Sequence, residues 1–261
     1  MNPINKQQLR SEEIMKEPYV VYSFVSDDYF HPVGAEQFIT SFKRFHPDIP
    51  LVIFRQDVVS QKIDGHNINW LNAKPVFAKI LTDKYECVIN MDVDQVVLGR
   101  MDEMFTDDYE VGSVMNFNDY ENVSVGDVKE EDYLQAGCVA SRVPEFWDIW
   151  MQRNLTNAWR YQCAENDTLN LVVYENKWKL KVFDKDKDYY GCKSLGREKE
   201  MTLEGNKVML RGEQVKCYHY AKGPNNMPKA SQEKLVSYGF NKQVIDFINA
   251  VGNYGLTMTY V

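Results

Sequence analysis

The triplet Asp92-Val93-Asp94 is where residue type and spacing in this chain most clearly suggest chemistry. Side chains at i and i+2 of an extended segment point the same way, so both carboxylates can reach one ion. The pair follows Cys87-Val88-Ile89-Asn90-Met91 and precedes Gln95-Val96-Val97-Leu98, so it interrupts an otherwise buried run at a strand end. Two like charges held together there repel unless a cation lies between them. The plainer alternative is a pair of exposed loop carboxylates, since so short a motif often arises by chance. His219 offers a third ligand, and Lys222, Gly223 and Lys229 just beyond it are the ingredients of a phosphate-holding loop. Mixed carboxylate and imidazole ligation suits Mn²⁺, or Mg²⁺ when phosphate supplies the other oxygens. A rival signal fails: Asp184, Asp186 and Asp188 mimic the start of an EF-hand loop, but its glycine position holds Tyr189 and its closing glutamate position holds Leu195.

Such groups need a frame to bring them together. Residues 19–25 read as a buried strand, 34–45 as an amphipathic helix stopped by His46-Pro47, and 51–54 as a second strand. This β-α-β opening predicts a parallel sheet with helices packed on it. A helix over 75–84, with Pro75 in its first turn, feeds the strand 87–91 that ends at the acidic pair. Further strands are expected at 111–115, 137–140, 208–211 and 215–219, with an apolar run at 180–183. Helices are expected at 144–154, 166–174 and 230–251. With no internal repeat and no Gly/Ser/Pro-rich linker, the organisation expected is one domain over 1–261. It carries a polar leader at 1–17 and a C-terminal helical segment at 230–261. The polar stretch 116–133 reads equally as a lid over an acceptor or as a surface loop.

Composition bounds the function. The 261 residues carry a formal net charge of -8, a poor match to nucleic acid, which demands a basic face. The N-terminus MNPINKQQLRSEEIMKEP lacks the apolar core of a secretory signal, and no stretch reaches the roughly 18 apolar residues of a transmembrane segment. Five scattered cysteines without a CxxC pair read as free thiols in a reducing compartment. A soluble, cytoplasmic protein is the expectation.

Several motifs in one order resemble the GT-A glycosyltransferases, nearest to family 8 with its bacterial galactosyltransferases and glycogenin. The segment Phe24-Val-Ser-Asp-Asp-Tyr-Phe30 is similar to the family's uridine-binding turn, and Phe77-Ala-Lys79 to its donor-contacting helix. Val88-Ile-Asn-Met-Asp-Val-Asp94 matches the metal strand. Tyr133-Leu-Gln-Ala-Gly137 resembles the Asn-Ala-Gly donor-sugar motif, with Gln135 for Asn. Glu165-Asn-Asp-Thr-Leu-Asn170 resembles the Asp-Gln-Asp-x-Leu-Asn segment beside the reacting carbon. Residues 219–229 are similar to His-x-x-Gly-x-x-Lys-Pro-Trp, though with extra residues before Lys229 and no tryptophan after it.

The resemblance implies an α/β/α sandwich with a mostly parallel mixed sheet, and a hexosyltransferase-type enzyme. It would move a sugar from a nucleotide-diphosphate sugar, a UDP-sugar first, to a carbohydrate, lipid-linked glycan or protein acceptor, with retention. By that likeness Asp92, Asp94 and His219 hold the metal, and Lys79, Lys222, Gly223 and Lys229 the diphosphate. Asp27 and Phe30 hold the base, Gln135, Ala136 and Gly137 the donor sugar, and Glu165, Asn166 and Asp167 are catalytic. Two other classes stay open: a metal-dependent sugar nucleotidyltransferase, and a catalytically silent sugar-binding module.

Overall fold

The computed structural model describes residues 15–25, 32–55, 62–63, 66–67, 70–116, 124–157, 165–183, 197–219 and 241–252. In chain order the first elements are β1 (Glu17–Phe24), α1 (Pro32–Phe45), β2 (Leu51–Phe54), β3 (Lys62–Ile63), β4 (His66–Asn67), α2 (Trp70–Thr82), β5 (Tyr85–Met91) and β6 (Gln95–Val97). There follow α3 (Glu103–Thr106), β7 (Val111–Met115), β8 (Leu134–Ser141), α4 (Pro144–Asn157), α5 (Glu165–Asn176) and β9 (Leu180–Val182). The last are β10 (Met201–Glu204), β11 (Lys207–Leu210), β12 (Glu213–Gln214), β13 (Cys217–His219) and α6 (Lys242–Gly252).

Six strands form the central sheet in the order β2-β1-β5-β8-β7-β9. The β1–β2, β1–β5 and β7–β9 pairings are parallel, and only β8 runs against its two neighbours. Successive side chains of a strand face opposite ways, so β1 feeds two cores. Val20 and Tyr22 pack with Phe77 of α2, Phe146, Trp147 and Trp150 of α4, and Leu169 of α5. Val21 packs on the other face with Phe38 and Phe42 of α1, Met91 of β5 and Met104 of α3. Truncating either buried tryptophan to alanine would cost on the order of 3–5 kcal/mol. The expected α/β/α sandwich with a mostly parallel mixed sheet is thus the observed one.

Outside the main sheet, β6 and β13 pair antiparallel as a two-stranded ribbon, and β10, β11 and β12 form a small meander. Helix α6 covers both through Val244, Ile248 and Val251, packed on Val96, Leu98 and Val208. Among the described residues, no helix is long and apolar enough to cross a membrane.

Several boundaries differ from expectation. Helix α2 begins at Trp70, so Pro75 lies one turn inside it rather than in its first turn. A proline removes one backbone donor, and the buried contacts of the helix outweigh that loss. Strand β8 starts three residues before 137. The run 215–219 is a strand only over Cys217–His219, and β6 and β10 are added strands. Elements of three or four residues are too short to show a period. Within the polar insert, Val125, Val128 and Tyr133 form a small core with Leu171 of α5, while 117–123 lie outside the described residues. So do 230–240 of the expected C-terminal helix and 1–14 of the leader.

Candidate active site

Asp92 stands one residue past the end of β5, and Asp94 one residue before β6. The Asp92 N–H donates to the Gly137 carbonyl of the neighbouring strand β8 at 2.9 Å, which holds the turn against the sheet. His219 closes β13, whose register with β6 sets it opposite Gln95. The imidazole is 1% exposed. Its Nε2 lies 2.9 Å from Asp94 Oδ1 and 3.7 Å from Asp92 Oδ2. Among the described residues, these three are the group of acidic, histidine and cysteine side chains close enough to share one ion, with donor atoms within 4.8 Å of one another.

Gly137 explains why the ring fits. A Cβ on Gly137 would lie 2.6 Å from His219 Cε1, 2.9 Å from His219 Nδ1 and 3.2 Å from Asp92 Oδ2. The absence of a side chain at 137 therefore makes the space in which the imidazole meets the carboxylates. Two hard oxygens and one borderline nitrogen, held around a cradle that a single methyl would fill, fit a divalent cation such as Mn²⁺ or Mg²⁺.

A lysine that the sequence reading passed over completes the centre. Lys74 of α2 is 3% exposed. Its ammonium lies 2.8 Å from Asp92 Oδ1 and 2.9 Å from Glu165 Oε1, and it donates to the Ala136 carbonyl at 2.9 Å. Burial opposes the Lys74 charge. The attraction and hydrogen bonds of Asp92 and Glu165 outweigh that opposition and raise its pKa, so it stays cationic. The Tyr22 hydroxyl donates to the Lys74 carbonyl at 2.5 Å. Burial first, then Asp92 and Glu165, push the Tyr22 pKa well up, so the phenol remains a neutral donor.

Lys79 is placed elsewhere. Five residues further along a helix of 3.6 residues per turn, it points to another face of α2. It is exposed there and pairs with Asp148 of α4 at 2.7 Å. Lys79 is the residue expected to contact the donor; the basic residue of this helix that reaches Asp92 is Lys74.

The α5 segment docks on β8 through side-chain amides. Asn166 Oδ1 accepts the Ala136 N–H at 2.8 Å. Asn170 accepts the Leu134 N–H at 2.7 Å and donates to the Leu134 carbonyl at 2.9 Å, replacing a strand partner. Glu165 opens the helix, where the N-terminal partial charge favours a carboxylate. Asp167 is 3% exposed, and its Oδ1 accepts the Tyr133 hydroxyl at 2.5 Å. Gln135 is likewise buried in β8. The structure thus brings Asp92, Asp94 and His219 together beside Gly137, while Lys74 links Asp92 to Glu165 and to Ala136, whose N–H is held by Asn166. Asp27, Phe30, Lys222, Gly223 and Lys229 lie outside the described residues.

No protein-family model and no curated protein matches the sequence. Solved structures do match its shape. The galactosyltransferase LgtC, in complex with donor and acceptor sugar analogs, superposes with a TM-score of 0.57 at 13% identity, covering 93% of this chain and 97% of that one. The glycosyltransferase GlyE of Streptococcus pneumoniae TIGR4 gives 0.54 at 12% identity, over 94% of this chain and 66% of GlyE. The apo bifunctional WbbM gives 0.54 at 14% identity, over 89% of this chain. The chain therefore spans nearly all of LgtC but only 52% of WbbM. At these identities the likeness speaks to architecture, and the architecture is plain: this chain has the GT-A glycosyltransferase fold.

Proposed function

We propose that the chain acts as one metal-dependent glycosyltransferase domain, transferring a hexose from a nucleotide-diphosphate sugar, a UDP-sugar first, to a hydroxyl of a carbohydrate, lipid-linked glycan or protein. The observation that carries this reading is the convergence of Asp92 and Asp94, from the β5–β6 turn, with His219 of β13 beside Gly137, joined to Glu165 through the two salt bridges of Lys74. The GT-A fold and the solved complex of LgtC with sugar analogs support it.

In this reading Asp92, Asp94 and His219 hold a Mn²⁺ or Mg²⁺ ion, which when bound supplies positive charge opposite a leaving diphosphate. Lys74 keeps Asp92 oriented and ties it to the sugar-side carboxylate Glu165. Asn166 fixes Ala136-Gly137, the strand segment that borders the donor sugar. Lys222, Gly223 and Lys229 are proposed for the diphosphate, and Asp27 and Phe30 for the base. Both candidate base carboxylates are engaged, Glu165 by Lys74 and Asp167 by Tyr133. That favours retention, with the leaving phosphate taking the acceptor proton, over inversion by an enzymic carboxylate base.

A donor screen with Mn²⁺, scoring nucleoside diphosphate release, tests the activity. Release from a UDP-sugar that stops on chelation is the expected result. Pyrophosphate release from a nucleoside triphosphate would point instead to a nucleotidyltransferase, and silence toward all donors to a binding module. NMR of the product should show retained anomeric configuration.

A further inference from the structure

The metal-binding geometry just proposed depends on a junction between two sheets that share no ladder. Asp92 follows β5 and Gly137 lies in β8, the two middle strands of the six-stranded sheet, whereas His219 sits on the β6–β13 ribbon. That ribbon has two short strands, and strand pairs of this size are marginal by themselves. Something must fix the imidazole relative to the carboxylates to within a fraction of an ångström.

Gln95 stands at that junction. It is 1% exposed, although its amide is fully polar. Its Nε2 donates to the Gly137 carbonyl at 2.7 Å, the same oxygen that accepts the Asp92 N–H at 2.9 Å. Its Oε1 accepts the Cys217 thiol at 3.3 Å. In the antiparallel ribbon Gln95 lies directly across from His219, and residues opposite each other in such a pair project to the same face. One buried amide thus spans β6, β8 and β13, and its main contact is the glycine whose missing Cβ makes room for the imidazole.

We infer that Gln95 is a positioning residue that sets the separation of His219 from Asp92 and Asp94 through the Gly137 carbonyl. Both ends of its amide are engaged within the protein. The inference rests on the metal reading above, and residues that orient metal ligands typically change affinity by about 10–100-fold when replaced.

The test is Mn²⁺ alone, titrated into the full chain and followed by the EPR signal of the free ion, with melting temperature recorded for each variant. Gln95→Met keeps the shape and removes both hydrogen bonds; it should bind Mn²⁺ about tenfold more weakly than the parent. Val96→Ala loosens the same strand from its opposite, apolar face. It should lower the melting temperature yet leave Mn²⁺ affinity within about twofold, since no ligand-orienting group is touched. Equal affinity in Gln95→Met and the parent would overturn the positioning role and leave the metal site standing. Equal weakening in Val96→Ala would overturn it too, by showing that only general stability matters. A parent that binds no Mn²⁺ would sink the metal reading itself, and the inference with it. Should Gln95→Met fail to fold, Cys217→Ala frees the other end of the amide. It should still weaken Mn²⁺ binding, by less than the roughly tenfold expected of Gln95→Met, and an unchanged affinity there would overturn the role.

Discussion

His46 and His219 are each 1% exposed, yet their surroundings give them opposite chemistry. His46 follows α1 and is flanked by the rings of Phe42 and Phe105, at 5.2 and 5.4 Å between centroids. Its Nε2 accepts the Met101 N–H at 3.1 Å, so it serves as a neutral cap for a loop. Burial first, then the Arg100 charge, lower its pKa from 6.5 to about 4. His219 instead faces two carboxylates across a glycine. Burial alone therefore says little about a histidine's function. What separates a candidate ligand from a packed ring is which groups the neighbouring strands aim at it.

Removal of each ring in turn is the strongest way to break this contrast. His219→Ala should lower donor turnover by about 100–1000-fold, the scale for losing charge stabilisation at a leaving group. His46→Ala should leave turnover per folded molecule intact but cost roughly 1–3 kcal/mol, because the Met101 N–H loses its partner. Steady-state kinetics beside urea melts separate the two, and similar kinetic losses in both would erase the distinction. Gly137→Ala should follow at about 10–100-fold weaker Mn²⁺ binding with near-parental far-UV circular dichroism, since its Cβ would displace the His219 ring.

A smaller effect concerns pH. Because the folded-state pKa of His46 lies below its unfolded value, the unfolded chain binds the proton first as pH falls. Stability tied to this ring is therefore intact above pH 6.5 and lost progressively down to about pH 4, by at most ~3 kcal/mol. His46→Gln should flatten that part of a stability-versus-pH curve, and an unchanged slope would refute the assignment. The smallest expected effect is at Lys79, whose exposed pairing with Asp148 should make Lys79→Ala nearly silent, within about 0.5 kcal/mol by thermal melt and without kinetic loss.

The frame and half of the site were legible because they lie in contiguous patterns. The apolar run before Asp92-Val93-Asp94 marks β5, and Ala136-Gly137 and His219 stand out by type. Lys74 escaped because Pro75 looked like a helix start, which left Lys74 outside the helix that in fact carries it to Asp92. Gln95 escaped for another reason. Its partners, Gly137 and Cys217, lie 42 and 122 residues away, and a three-residue strand announces no pairing. Asp167 is of a common capping type, but it is the third residue of α5 and is buried against Tyr133, a contact made only when the polar insert folds over that helix.

The most direct measurement is anomalous scattering from crystals grown with Mn²⁺ and UDP. The account predicts a manganese peak within coordination distance of carboxylate oxygens from both Asp92 and Asp94 and of a His219 ring nitrogen, on the open side of Gly137. A peak bound elsewhere, or no peak despite ordered UDP, would contradict it.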